Sequence, residues 1–395
     1  MQGETRADSW RRPVASHMMH PPVRNQVPSR RECDGIIVLP LSPLGGSRKT
    51  GEGCAGVKIC VFVSRRELPS SRLRFREPSR HWEAMGDACR FVPIPSGPLE
   101  RWEALRQAAG SDVVVLQRKT SLHPWDLAQL RRANPNLVFD FDDAVMFHEI
   151  EHGGRLSGRY FGRFLRTVRI ARHVVAGNGF LARFARDAGC DVTVLPTPVD
   201  PERYRNGTAS VARTAGFVVG WLGVSQNQKY LLPLRESFIA LRRRFPELTV
   251  KIVSEKFPVD LGVPMERKAW RLEDEPADIA SFDVGIMPLP DNLWAWGKCG
   301  YKLIQYLASG VPVVASPVGL NLDIVREGWN GHFASTPEEW EARIGALLSR
   351  PEAARAMGRN GEIDVERSYS ISAYAAAYLD VFRKVGNRER WAGES

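Results

Sequence analysis

Two lysines, a glutamine and a serine recur at helical spacing in the segment DNLWAWGKCGYKLIQYLASG (291–310). At about 100° per residue, four polar side chains would lie within about 60° of one helix face, namely Lys298, Lys302, Gln305 and Ser309. Ammonium groups bind anions, and the free N–H groups at a helix start add to this attraction where Gly297 and Gly300 leave the backbone accessible. The spacing predicts a diphosphate site, and a solvated basic helix face is the alternative.

Three aspartates end a buried-strand pattern at residues 137–143, which read LVFDFDD. Strand alternation places Asp140 and Asp142 on one face and leaves Asp143 beyond the strand end. Either Asp142 or Asp143 could accept the proton of a substrate hydroxyl or position that hydroxyl. Two alternatives remain open. The Asp-x-Asp pair could bind a metal ion, or the aspartates could cap the following helix.

A basic loop follows the first strand pattern of the chain, VKICVFV (57–63). Loops at the carboxyl ends of parallel strands are where open α/β sheets bind their ligands. Ser71, Arg72 and Arg74 in this loop are therefore candidates to hold a phosphate or substrate hydroxyls. A solvated basic loop is the alternative.

Strand-like apolar runs alternate with helix-like segments along most of the chain, which indicates parallel sheets with helices on both faces. A proline-rich stretch, PTPVDPERY (196–204), separates two such units. We therefore expect two Rossmann-like, doubly wound α/β domains facing a cleft, at 57–205 and 206–368, followed by a C-terminal helix and tail at 369–395. Residues 1–56 are rich in Arg, Pro, Ser and Gly, and they are expected to form a disordered basic arm.

Across residues 57–385 the chain resembles the family-4 glycosyltransferases, which have the GT-B fold. The matching segments, in the family's order, are FDDAV (141–145), AGNGFLARFA (176–185), VLPTPVD (194–200), FDVGIMPLPD (282–291), KLIQYLASGVPVVASPVG (302–319), GWNG (328–331) and YSISAY (369–374). The resemblance implies a C-terminal helix that returns toward the N-terminal domain. It also implies a nucleotide-sugar donor in the C-terminal domain, an acceptor in the N-terminal domain, retention of anomeric configuration, and no metal or other cofactor.

The donor motif departs from the Glu-x7-Glu pair that is usual in this family. Aligned on Gly310, the two glutamate positions fall at Gly297 and Gln305. Gln305 can still hydrogen-bond ribose hydroxyls as a neutral partner. Lys298 or Trp296, with its neighbour Trp294, is expected to replace the sugar contact of the first glutamate.

A second departure follows the strand pattern FVVGWL (217–222), where Trp221 stands in the position of a common family arginine. Lys229 is the best match to the family's diphosphate lysine. The resemblance thus implies a donor site built from seven residues, namely Gly223, Lys229, Gly297, Lys298, Gly300, Lys302 and Gln305. On the acceptor side it implies Asp142 or Asp143 as the catalytic group. The expected substrate contacts are Ser71, Arg72, Arg74 and Trp296.

The chain of 395 residues carries 55 basic and 45 acidic side chains, a formal net charge of +10, so anionic partners are expected. In residues 155–172, RLSGRYFGRFLRTVRIAR, five arginines share one helix face. This face either contacts an anionic membrane surface or is simply solvated. Nucleic acid is not an expected partner, because the tryptophans lie at strand ends and in the donor loop. Six scattered cysteines indicate reduced thiols.

These observations predict a hexosyltransferase-type enzyme that moves a sugar from a nucleotide-diphosphate sugar to a glycan or a lipid-linked glycan. Such an enzyme would serve polysaccharide or cell-envelope biosynthesis. No run approaches about 18 uninterrupted apolar residues, so we expect a cytoplasmic protein, either free or at the inner face of the membrane. The alternatives are a nucleotide-sugar epimerase of the same fold and a non-catalytic binder of glycan or nucleic acid.

Overall fold

The structure is a computed structural model that describes residues 56–64, 68–148, 155–156, 158–208 and 216–387. The basic arm expected at residues 1–56 therefore lies outside the described residues up to position 55. None of the helices in the described ranges is long and apolar enough to cross a bilayer.

Six parallel strands form the first sheet. They are β1 (Lys58–Val63), β2 (Ala88–Pro93), β3 (Val113–Gln117), β4 (Leu137–Phe141), β7 (His173–Ala176) and β8 (Val192–Val194), whereas β5 (Phe147–His148) and β6 (Arg155–Leu156) form a separate antiparallel pair. The spatial order is β2-β1-β3-β4-β7-β8. β3 and β4 are buried along their whole length, as expected for central strands of a parallel sheet that is covered on both faces.

Helices cover both faces of this sheet. In chain order they are α1 (Pro69–Ser71), a π-helical turn (Arg72–Arg76), α2 (Glu77–Ala84), α3 (Pro98–Ala109), α4 (Pro124–Ala133), α5 (Gly158–Ile170) and α6 (Gly179–Arg186). One face of the sheet packs against α3, α4, α5 and α6. α6 begins after Asn178, whose side chain accepts a hydrogen bond from the backbone N–H of Leu181.

The second sheet also contains six parallel strands. They are β9 (Phe217–Leu222), β10 (Leu248–Ser254), β11 (Met265–Ala269), β12 (Val284–Met287), β13 (Val313–Ala315) and β14 (Gly331–Phe333). The spatial order is β11-β10-β9-β12-β13-β14, so this sheet repeats the doubly wound plan of the first.

The helices of the C-terminal half follow in chain order. They are α7 (Pro201–Thr208), a 3₁₀-helical segment (Ser225–Leu234), α8 (Arg235–Arg244), α9 (Glu275–Ala280), α10 (Leu293–Trp296), α11 (Tyr301–Ala308), α12 (Asn321–Ile324), α13 (Pro337–Ser349), α14 (Pro351–Ser368) and α15 (Ile371–Asn387).

The last helix, α15, packs on the first sheet rather than the second. The indole N–H of Trp82 on α2 donates to the backbone oxygen of Ala375 at 2.9 Å. The ring of Tyr378 lies 5.4 Å from that of Phe75. The two doubly wound domains and the returning C-terminal helix predicted from the sequence are therefore confirmed.

Candidate active site

The segment that carries the predicted diphosphate site ties the two domains together at the carboxyl ends of their strands. Cys299 donates from its thiol to the backbone oxygen of Asp142 at 3.0 Å. The side-chain amide of Asn178 donates to the backbone oxygens of Trp296 and Lys298, at 3.1 and 3.0 Å. Gly297 permits this approach, since a Cβ there would lie 2.6 Å from the Cβ of Ala144. Its role is thus close packing between the domains.

Lys302 and Lys298 lie together beside this junction. The ammonium of Lys302 lies 5.1 Å from the ring centroid of Trp221, and that of Lys298 lies 4.7 Å from the ring centroid of Trp294. Burial, and then the charge of Lys298, lower the pKa of Lys302 to about 8. Neither lysine forms an ion pair with a carboxylate in the described part of the chain. The domain junction therefore holds two ammonium groups that no carboxylate of the described residues neutralises.

Two further features complete this cationic pocket. The indole N–H of Trp294 is buried and has no acceptor among the described residues. Gly223 makes room for Lys302, because a Cβ at this position would lie 2.5 Å from the Cε of Lys302. An anion placed over the two lysines would supply both the missing charge and the missing acceptor.

Gln305 is not exposed beside the lysines, contrary to the sequence-based prediction. Only 1% of its surface is exposed, and its amide donates to the hydroxyl of Tyr204 at 2.8 Å. That hydroxyl donates in turn to Glu275 at 2.9 Å. Ser309 is likewise buried, with its hydroxyl bonded to the backbone oxygen of Gln305.

Two local features explain this difference. Gly300 has a left-handed φ of 59°, so α11 starts at Tyr301 and Lys298 precedes the helix. The opposite side of α11 is covered by α14, where a Cβ at Gly361 would lie 2.6 Å from Leu307. α11 is therefore buried along most of its length. Lys302 lies in the first turn, which is the part of the helix that stays partly exposed.

Two other predicted donor residues lie elsewhere. Lys229 is exposed on the 3₁₀-helical segment, with its ammonium 5.7 Å from the ring centroid of Tyr230. Trp296 is buried against Phe180, at 6.1 Å between ring centroids, and its indole donates to Asp291 at 2.7 Å. Trp296 thus packs the domain junction, and Trp294 is the tryptophan that lines the lysine pair.

The N-terminal domain contributes an ion-paired cluster of one arginine and two aspartates at the same junction. Arg118, directly after β3, lies 3.5 Å from the carboxylate of Asp142 and 3.0 Å from that of Asp143. It also donates to the hydroxyl of Ser70 at 3.3 Å. Its φ of 53° makes it the sole non-glycine residue with positive φ in the described ranges. Such strain is characteristic of functional sites, and sequence analysis did not single out Arg118.

Asp142 has the properties of a proton acceptor. Its Oδ1 is buried and accepts no hydrogen bond from the described residues. Burial outweighs the attraction of Arg118 and Arg74 and raises the pKa of this carboxyl. Asp143 is more exposed and accepts a hydrogen bond from the backbone N–H of Ala144, in the manner of a cap.

The remaining predicted substrate contacts are occupied by protein partners. Arg74 is fully buried and donates to Asp140, to the backbone oxygen of Leu195 and to Thr197. Tyr378 donates to the same Asp140 carboxylate, so Asp140 is enclosed and is not placed to bind a metal ion beside Asp142. Arg74 therefore holds the domain interior together and does not face the cleft.

The other two loop residues also have partners close by. Ser71 is buried and donates to the side chain of Gln117 at 2.6 Å. Arg72 is paired with Glu77. Of the polar groups described in this loop, Ser70 is the one that contacts the Arg118 cluster.

Comparison with known proteins gives the same architecture. Residues 216–350 match the family model described as Glycosyl transferases group 1. The D-inositol 3-phosphate glycosyltransferase of Segniliparus rotundus is 28% identical over 214 residues, which cover 49% of this chain and 46% of that protein. The matched stretch thus spans less than half of that relative's length.

Solved structures match over more of the chain. HepE of Anabaena, in complex with UDP and glucose, matches with a TM-score of 0.61 at 15% identity, over 83% of this chain and 100% of HepE. Sucrose-phosphate synthase of Thermosynechococcus elongatus matches with a TM-score of 0.62 at 15% identity, over 83% of this chain and 99% of the synthase. The fold is GT-B, as predicted, and residues 216–350 in its C-terminal half are similar to the group 1 glycosyltransferases.

Proposed function

We propose that this protein is a retaining glycosyltransferase that moves a sugar from a nucleoside-diphosphate sugar to a hydroxyl of a glycan or lipid-linked glycan. We further propose that it acts in the cytoplasm at the inner face of the membrane and needs no metal or other cofactor. The observation that carries the proposal is the pair of uncompensated ammonium groups, Lys298 and Lys302, at the junction of two GT-B domains.

Glycosyl transfer breaks the bond between the anomeric carbon and a diphosphate oxygen, and the bonding electrons leave with the diphosphate. Lys298, Lys302 and the indole N–H of Trp294 would stabilise that growing negative charge in a half-buried site, where fixed charges are more effective than water. Removal of one such donor typically lowers turnover by about 10² to 10³.

The acceptor hydroxyl would approach from the N-terminal domain. Its oxygen forms the new bond to the anomeric carbon, and its proton passes to the carboxylate of Asp142, whose pKa is raised by burial, which makes it a stronger base than an exposed aspartate. Arg118 would position Asp142 and Asp143 for this step. Retention of configuration and independence from metal ions rest on the family resemblance of the sequence.

Binding of a panel of nucleotide sugars tests the proposal. A ligand at 100 times its Kd raises stability by about 2.7 kcal/mol, so the true donor should raise the Tm of the full-length protein. Mass spectrometry would then detect sugar transfer to extracted glycans and glycolipids, with and without a chelator. Stabilisation without transfer would favour a non-catalytic binder, interconversion of the free nucleotide sugar would favour an epimerase, and no stabilisation would refute the donor site.

A further inference from the structure

Three large apolar side chains are exposed together on the outside of the N-terminal domain. Leu99 and Trp102, on the first turns of α3, are 83% and 64% exposed, and Trp125, at the start of α4, is 52% exposed. Arg101 connects the two helices, because its guanidinium lies 5.7 Å from the ring centroid of Trp125 and 3.1 Å from the carboxylate of Asp126. We call Leu99, Trp102 and Trp125 the apolar edge.

An apolar hollow lies beside this edge, between α3, α4 and the carboxyl ends of β1 and β2. Its lining includes Phe62, Ile94, Leu105, Leu122 and Leu130. Exposed indole and leucine side chains next to an apolar hollow are more than the isolated surface apolar residues that any protein carries. The arrangement fits an apolar partner.

The neighbouring helix α5 provides a strongly basic surface. Residues 158–172 contain five arginines and no acidic residue. Arg159, Arg166 and Arg169 are exposed on α5, while its apolar side chains, such as Phe164 and Val168, are buried in the domain core. The one acidic side chain of α4, the helix that packs against α5, is Asp126, which is paired with Arg101. α4 therefore does not cancel the basic charge of α5.

The fold places these features on one side of the molecule. α3, α4 and α5 lie side by side on one face of the first sheet. α3 and α4 each directly follow a strand of that sheet, β2 and β3, and α5 lies between β4 and β7 in the chain. The N-terminal ends of α3 and α4 therefore lie at the carboxyl edge of the sheet, which is also the edge that presents Asp142 and Arg118. A partner bound at the apolar edge would lie next to the proposed acceptor site.

We propose that the apolar edge and the arginines of α5 bind the surface of an anionic lipid bilayer, and that the acceptor is a lipid-linked molecule presented from that bilayer. Indole side chains favour the headgroup region of a membrane, and a basic helix surface is attracted to anionic lipids. This inference rests on the proposed transferase function, because only an acceptor-using enzyme gains from such placement.

Flotation of the full-length protein with vesicles tests this surface. One set of vesicles contains about one-third phosphatidylglycerol in phosphatidylcholine, an anionic fraction high enough to attract basic residues, and the other set is pure phosphatidylcholine. We expect binding to the anionic vesicles that weakens with added salt. The variant Leu99→Ser/Trp102→Ser/Trp125→Ser should bind at least tenfold more weakly. The variant Arg159→Gln/Arg166→Gln/Arg169→Gln should bind more weakly and lose most of the salt dependence.

The matched control is Met85→Ser/Ile363→Ser, which removes two apolar side chains of similar exposure from other surfaces and should bind like the wild type. Nucleoside-diphosphate binding, measured by calorimetry on every variant, should stay unchanged. Vesicle binding that is absent in the wild type, or equal in all variants, would overturn the inference. The inference would also be overturned if the wild type were a dimer and the apolar-edge variant a monomer, because the apolar edge would then be a dimer interface. If the wild type binds vesicles but does not bind nucleoside diphosphates, the proposed transferase function is refuted instead.

Discussion

The two domains place charge at their common junction in opposite ways. In the C-terminal domain, Lys298 and Lys302 lie against aromatic rings and have no carboxylate partner in the described part of the chain. In the N-terminal domain, Arg118 is ion-paired with both Asp142 and Asp143. The C-terminal side of the junction thus carries two unpaired positive charges, and the N-terminal side carries one positive charge paired with two carboxylates.

Under the proposed function, this difference matches the different ligands of the two sides. Leaving two ammonium groups unpaired in a half-buried site destabilises the protein, and the lowered pKa of Lys302 reflects that cost. A polyanionic ligand would remove this destabilisation by pairing with both ammonium groups, so the C-terminal side fits a diphosphate. The paired side offers oriented carboxylates and a guanidinium, which fit the neutral hydroxyls of a sugar acceptor.

The largest expected effect comes from removing a cation on the C-terminal side. Lys302→Ala should lower turnover by about 10² to 10³ and weaken nucleoside-diphosphate binding, because the leaving group loses a fixed positive charge. Lys298→Ala should act in the same direction. Calorimetry and steady-state kinetics measure both effects. Lys384→Ala removes an exposed lysine of α15 and is the control. Unchanged affinity in both site variants would show that the unpaired lysines are not a ligand site.

The lysine pair could be predicted from sequence because the signal is local. Glycines and basic residues a few positions apart specify a tight turn and a helix start without reference to distant residues. The parallel strands could be predicted from sequence equally well, since central strands such as β3 and β4 are continuous apolar runs. These features depend on short stretches of chain.

Gln305 and Arg118 show where such prediction stops. Gln305 was placed on the lysine face, but α14 covers α11, and this contact joins segments more than 50 residues apart, such as Leu307 and Gly361. Arg118 follows a strand without any motif. Its site role becomes visible only when β3 pairs with β4 and the backbone adopts a φ of 53°.

The next effect in size concerns the ion-paired, N-terminal side of the junction. Asp142→Asn should lower turnover by about 10², because the amide cannot accept the hydroxyl proton. Nucleoside-diphosphate affinity should stay at the wild-type value, since Asp142 belongs to the other domain. Asp143→Asn is the matched variant, because it makes the same charge change at the other carboxylate paired with Arg118, and it should lose less activity. A larger loss for Asp143→Asn would assign the proton to Asp143 instead.

The smallest effect is a pH dependence in which the two sides control opposite limbs. The pKa of Asp142 is raised, so turnover should fall as the pH drops through that value and the carboxylate is protonated. The pKa of Lys302 is lowered to about 8, so nucleoside-diphosphate affinity should fall as the pH rises above that value and the ammonium is lost. The decrease should approach about tenfold per pH unit, the limit for one essential proton.

Lys302→Arg retains its charge throughout this range, so it should abolish the alkaline limb of binding and leave the acid limb of turnover in place. An alkaline limb that persists in Lys302→Arg would place the titrating group elsewhere, and the contrast between the two domains would then no longer rest on Lys302.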